Sequence, residues 1–268
     1  MSKRQIDETA DRVAESPTLT GKVVLVTGAS RGIGRAIALA CAEAGADLVV
    51  GYRSSRQGAA AVATAAQDFG RRAHVVQADT SDPAQIERLA RDARGAFGRV
   101  DAWINNAGAD VLTENGARGS RLDKLDLLLA VDLRGTVLAS WAAVELMRGQ
   151  PGGGVILNMA WDHVLTGGMK SDYAQLFCAA KGGVYSFSRA LAHNVAPHIR
   201  VNVLGPGWIE TAYGAELEPA VKQRIASRIP LGRWGTVQDV AHGAVYLVSD
   251  AASYVTGQML MINGGSVL

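Results

Sequence analysis

The stretch Val23-Val24-Leu25-Val26-Thr27-Gly28-Ala29-Ser30-Arg31-Gly32-Ile33-Gly34 decides how the rest of the chain is read. Four apolar, mostly β-branched residues predict a short strand buried on both faces, as in parallel sheets. Glycines at 28, 32 and 34 then permit a tight turn with bare backbone. The apolar run Ile33, Ala36, Ile37, Leu39 and Ala40 opens a helix whose free N–H groups and dipole face that turn. Such a turn attracts a pyrophosphate. Its spacing is Gly-x-x-x-Gly-x-Gly rather than the commoner Gly-x-Gly-x-x-Gly.

The same alternation runs outward along the chain. Further strands are predicted over 47–51, 73–77, 100–104, 154–159, 200–204 and 258–262. Helices are predicted over 56–69, from a cap at Ser81 or Asp82 to about 96, and over 125–147, 175–196 and 237–249. Strand–helix alternation implies one α/β domain over residues 18–268: a Rossmann-like, doubly wound parallel sheet of about seven strands with helices on both faces. Residues 1–17, polar and charged, are expected to be a mobile N-terminal extension. Ligands of such sheets bind beyond the strand C-termini. There lie Gly28–Gly34, Asn105–Gly108, the segment from Asn158 onward, and Gly205-Pro206-Gly207.

Composition narrows the function. A chain of 268 residues, 48% hydrophobic, suits one large domain with a core on each side of a sheet. A net charge of +2 without blocks of like charge argues against nucleic acid and anionic membrane surfaces as partners. No membrane span and no signal peptide are expected. Cys41 and Cys178 cannot build a disulfide framework, which suggests a reducing, cytoplasmic setting. The five histidines show no ligand spacing, so no metal is expected.

The second predicted strand ends Val49-Val50-Gly51-Tyr52-Arg53-Ser54-Ser55, without the carboxylate that would accept from an NAD ribose. Arg53 and Arg31 offer positive charge, and Ser54 and Ser55 offer hydroxyls, to a 2′-phosphate. The expected cofactor is therefore NADP(H).

These motifs resemble the short-chain dehydrogenase/reductase family over about residues 19–266. The matching stretches are Thr27-Gly28-x-x-x-Gly32-Ile33-Gly34, Asp79, Asn105-Asn106-Ala107-Gly108, Gly205-Pro206-Gly207-Trp208-Ile209-Glu210-Thr211, Thr256-Gly257-Gln258 and Asn263-Gly264-Gly265. The resemblance implies that Gly28, Ser30, Arg31, Gly32, Ile33 and Gly34 hold the cofactor's phosphates. It assigns Asp79 to the adenine; Thr80 beside it is a further cofactor-binding residue, and Arg53 and Ser54 remain the candidates for the 2′-phosphate. Pro206, Gly207, Ile209 and Thr211 belong to the segment that embraces the nicotinamide, and Asn106, Ala107, Gly108 and Lys181 are further cofactor-binding residues. It also implies a homodimer or homotetramer, through the long helices near 125–147 and 183–196 and the last strand.

The family's acid–base tetrad of Asn, Ser, Tyr and Lys is altered. Lys181 fits the lysine, but Phe177 stands four residues earlier, where the tyrosine belongs. The serine falls at Trp161 and the asparagine at Asp132. Tyr173, eight residues before Lys181, is a candidate if it precedes the helix; within one, it would be rotated by about 80°. Asp162 or His163, just past the strand end, can replace the acid, and Asp132 can stabilise a cation. Two functions follow. One is an NADP(H)-dependent oxidoreductase with a non-standard acid–base site, passing hydride to a carbonyl, imine or activated enone of a small molecule. The other is a non-redox NADP(H)-binding protein. The segments 109–123 and 211–233 are expected to cover the substrate, the latter with Tyr213, Leu217, Val221 and Ile225.

Overall fold

The computed structural model describes residues 18–167 and 169–268; the expected extension at 1–17 lies outside the described residues. Seven parallel strands form one sheet in the order β3-β2-β1-β4-β5-β6-β7. They are β1 (Val23–Val26), β2 (Asp47–Tyr52), β3 (Ala73–Gln77), β4 (Ala102–Asn105), β5 (Gly154–Met159), β6 (Ile199–Pro206) and β7 (Met259–Ile262). The order reverses between β1 and β4, which pair in register Val24↔Ala102 to Val26↔Ile104. Crossovers on the two sides of that point leave in opposite directions, and the diverging loops open a crevice beyond the strand ends.

Alternate residues of each central strand feed separate cores. Val24, Val26, Leu48, Val50 and Ile104 meet helices α1 (Gly32–Glu43) and α9 (Val237–Val248). Leu25, Val49, Trp103 and Ile156 face α3 (Pro83–Phe97), α5 (Thr136–Arg148) and α6 (Asp172–Val195). Burial on both faces is why these strands read as continuous apolar runs. Helix α2 (Arg56–Asp68) is capped by Ser55, and α3 by Asp82, whose carboxylate accepts from the N–H groups of Ala84 and Gln85.

The structure corrects several sequence boundaries. The predicted helix 125–147 is α4 (Arg121–Leu128), a π-helical stretch Leu129–Gly135 and α5, end to end. By length and composition this run is long and apolar enough to cross a membrane, although the sequence contains no unbroken run of 18 apolar residues and no span is expected. Its apolar character is spent on the sheet, where Ala139, Ala143, Val144 and Met147 are buried. Two short helices, α7 (Ala212–Ala215) and α8 (Pro219–Ala226), occupy the segment expected to cover the substrate. Of its apolar residues, Leu217 and Ile225 pack on a small separate core with Trp208 and Trp234.

Candidate active site

The crevice at the strand reversal holds a cavity of about 560 Å³. One wall is the glycine turn, with Gly28, Ser30, Arg31, Gly32, Ile33 and Gly34. Arg53 and Ser54 stand at one end, and Ala78, Asp79 and Thr80 beside them. Asn106, Ala107, Gly108 and the segment from Ala109 to Thr113 form the opposite side. Val131, Phe177, Thr211, Ala212 and Tyr213 also line it.

Local chemistry explains the turn. Helix α1 starts at Gly32 with no side-chain cap at Arg31 and no acidic residue in its first turn. Its leading N–H groups thus retain their capacity to bind an anion, and the dipole favours one there. Thr27 Oγ1 accepts from the backbone N–H of Asn106 and of Ala107, both at 3.0 Å. Asn106 Nδ2 returns a bond of 3.0 Å to the Thr27 carbonyl. A Cβ on Gly34 would lie 2.3 Å from that Nδ2 and 2.4 Å from the Gly28 carbonyl oxygen, so only glycine lets turn, helix and Asn106 meet. These features fit a dinucleotide diphosphate, with Arg31 and Arg53 placed for a further phosphate.

Beyond the cavity wall lies Lys181. Its Nζ is 2.9 Å from Asp132 Oδ2 and donates to the Met159 carbonyl at 3.1 Å. Asp132 is 2% exposed and sits in the π-helical stretch, where its Oδ1 accepts from the Ala109 N–H at 2.8 Å. The Phe177 ring, one helical turn before Lys181, reaches the cavity. Trp161 meets it edge-on at 6.1 Å and stacks on His163 at 4.7 Å. His163 Nδ1 lies 2.7 Å from Asp162 Oδ1, and among the described residues nothing hydrogen-bonds its Nε2. Asp162 is fully buried, and its Oδ2 accepts from Asn263 Nδ2 at 3.2 Å and Ser266 Oγ at 3.0 Å. These contacts tie the carboxylate to three side chains, so it serves to orient its partners.

Several expected site residues stand apart from the cavity. Tyr173 lies inside the first turn of α6, not before it. It is 41% exposed and joins a separate small hollow with Arg121, Lys124 and Asp172, its ring 4.5 Å from Lys124 Nζ. Eight residues of regular helix turn it away from Lys181. Lys181, Pro206, Gly207 and Ile209 do not line the cavity, whereas Thr211 does.

The sequence reading missed a buried polar ladder beneath the site. Asn105 Nδ2 donates to Asn158 Oδ1 at 2.8 Å and Ser140 Oγ at 3.0 Å, and Asn158 Nδ2 donates to Ser188 Oγ at 2.9 Å. It ties β4 and β5 to α5 and α6, and satisfying every buried polar atom makes it rigid. Asparagine in a run of apolar strand residues was the available signal. Nothing local flags Ser266.

Comparison with known proteins agrees with this architecture. The model of the enoyl-(acyl carrier protein) reductase family matches residues 28–266. The chain is 34% identical over 263 residues to an NADP-dependent mannitol dehydrogenase of Hypocrea jecorina, covering 96% of each chain. A Serratia marcescens short-chain dehydrogenase/reductase variant superposes with a TM-score of 0.83 at 31% identity, over 92% of this chain and 98% of that one. A blue fluorescent protein from a metagenomic library, in complex with NADPH, gives a TM-score of 0.83 at 31% identity, over 94% and 100%. The chain belongs to the short-chain dehydrogenase/reductase family.

Proposed function

We propose that this protein is an NADP(H)-dependent oxidoreductase that passes hydride to a carbonyl, imine or activated enone of a small apolar molecule, using an acid–base site unlike its family's. The observation that carries this reading is the uncapped N-terminus of α1 on a cavity that Phe177 and Tyr213 also line. The first favours a diphosphate; the second favours a flat apolar substrate. Arg31 and Arg53 support the phosphorylated cofactor, as do an NADP-dependent relative and an NADPH-bound structural neighbour. When bound, the nicotinamide supplies the hydride.

The chain's own residues then bind, orient and move the proton. Lys181 and Asp132 hold each other in place beneath the site. His163, with Nδ1 committed to Asp162, keeps Nε2 for proton exchange with the substrate. Its ring stacks on Trp161 and does not line the cavity, so a water relays the proton between them. An iminium, which arrives protonated, demands least of this arrangement.

The test is oxidation of NADPH in the presence of a panel of ketones, cyclic imines and activated enones, beside titrations of NADPH and NADH. Oxidation with at least one imine or enone, and weak turnover of simple ketones, is expected. Tight NADPH binding with no oxidation across the panel favours the second reading, a non-redox binding protein. The edge-on packing of Trp161 against Phe177, two apolar rings where the family resemblance implies hydroxyls, favours that reading. The same proposal takes the protein as a cytoplasmic homodimer or homotetramer. Trp141 on α5, 53% exposed and edge-on to Phe187 of α6 at 6.5 Å, supports contact through those helices.

A further inference from the structure

The chain beyond β7 does not trail away. Asn263 Nδ2 donates to Asp162 Oδ2 and, at 2.9 Å, to the Val267 carbonyl. Asn263 Oδ1 accepts from the Gly265 N–H at 3.0 Å, and the Asn263 carbonyl accepts from the Ser266 N–H at 3.2 Å. These bonds coil residues 263–267 into a turn that carries Ser266 Oγ to Asp162.

Two other segments close on that turn. A Cβ on Gly207 would lie 3.0 Å from Asp162 Oδ2 and 2.7 Å from Asn263 Cβ, so the loop after β6 rests on both residues. The Leu231 N–H donates to the Gly264 carbonyl at 3.2 Å, and a Cβ on Gly265 would lie 3.1 Å from Pro230. Residues 229–231 are the foot of the excursion that contributes Thr211 and Tyr213 to the cavity. The Asp162 carboxylate is thus the point where the end of β5, the loop at 205–207 and the C-terminal turn meet. Through Gly264 and Gly265, that turn also braces the covering segment.

The orientation of the dinucleotide follows from the cavity walls. A diphosphate at Gly32–Gly34 and a 2′-phosphate at Arg53 would leave the walls at Phe177, Thr211 and Tyr213 to the nicotinamide. We infer that Asp162 and the C-terminal turn form a clasp that positions the loop at 205–211 for the nicotinamide half of the cofactor alone. Asp162 is a positioning residue in this role. The inference rests on the NADP(H) reading above.

The experiment compares two ligands on the full chain: NADPH, and 2′-phospho-ADP-ribose, which has the diphosphate and 2′-phosphate but no nicotinamide. Ser266→Ala removes one hydroxyl donor near the chain end, and Asp162→Asn replaces one accepting carboxylate oxygen with an NH2 that can only donate and removes the charge that both donors face. Ser266→Thr keeps the hydroxyl. Ser266→Ala and Asp162→Asn are each expected to weaken NADPH about tenfold while 2′-phospho-ADP-ribose changes less than about twofold, and Ser266→Thr to match the parent. Equal losses for both ligands in a folded Ser266→Ala protein, or no loss for either, overturn the clasp and leave the cofactor assignment standing. Failure of the parent protein to bind either ligand overturns the cofactor assignment, and the clasp with it.

Discussion

The Lys181 ammonium lies 2.9 Å from the Asp132 carboxylate, and both groups are withdrawn from solvent. In such a setting each charge offsets the other's desolvation, and removing one partner strands the other. Lys181→Met is expected to destabilise the protein by about 3 kcal/mol, since it leaves Asp132 charged and buried. Asp132→Asn is expected to cost less, about 1–2 kcal/mol, because its amide oxygen still accepts a hydrogen bond. Urea unfolding of both single variants and the double variant measures the coupling.

The same pair bears on the proposal that Phe177 stands where the family's tyrosine belongs. A lysine lowers a nearby tyrosine's pKa through its net charge, and Asp132 cancels most of that charge. Phe177→Tyr with Trp161→Ser is therefore expected to bring only modest NADP+-linked alcohol oxidation, confined to alkaline pH, where a phenol of ordinary pKa near 10 ionises and can take the hydroxyl proton. Adding Asp132→Asn is expected to raise that rate about tenfold and move its pH profile toward neutrality. A neutral-pH rate already typical of the family in the double variant would sink the argument.

Proton exchange through His163 predicts a separation of effects. His163→Gln is expected to lower kcat on any reducible ketone or enone of the panel by about a hundredfold while NADPH affinity is unchanged. Stopped-flow oxidation and equilibrium titration check the two halves.

Two glycines of the turn are expected to differ. Gly34→Ala drives a methyl into Asn106 and the Gly28 carbonyl, so loss of both fold stability and NADPH binding is expected. At Gly32 no heavy atom lies within 4 Å of an added Cβ, and φ is +56°. Gly32→Ala should cost about 1 kcal/mol in backbone strain while weakening NADPH more than stability. Thermal melts with and without NADPH distinguish them.

Burial pushes the Cys41 thiol up to about 12 and also raises Cys178. A disulfide reagent at pH 8 should modify Cys178 slowly in the native protein and reach Cys41 only after unfolding. A thiol whose pKa is raised by folding stabilises the fold below its ordinary value near 8.5, and that contribution drains as pH climbs toward 12. Cys41→Ala is expected to flatten this alkaline loss, whatever its cost in packing at neutral pH.

The sequence by itself determined the doubly wound sheet and the glycine turn, because both rest on short-range chemistry. Apolar strand runs, helix periodicity and glycine spacing are local, and parallel strands then require helical crossovers. It also led to the expectation that Phe177, Trp161 and Asp132 depart from the family pattern. Only the tertiary structure decided what those departures mean. Asp132 closes on Lys181 from another element 49 residues away, through a π-helical register that no periodicity announces. Asp162 looked free beside Trp161, yet it is consumed by Asn263 and Ser266, more than a hundred residues on. Tyr173, kept open by its spacing, is turned toward Lys124 by the helix it belongs to. Partners across the sheet are set by packing, and the hydrogen-bond partners of a buried carboxylate are decided only where distant segments meet.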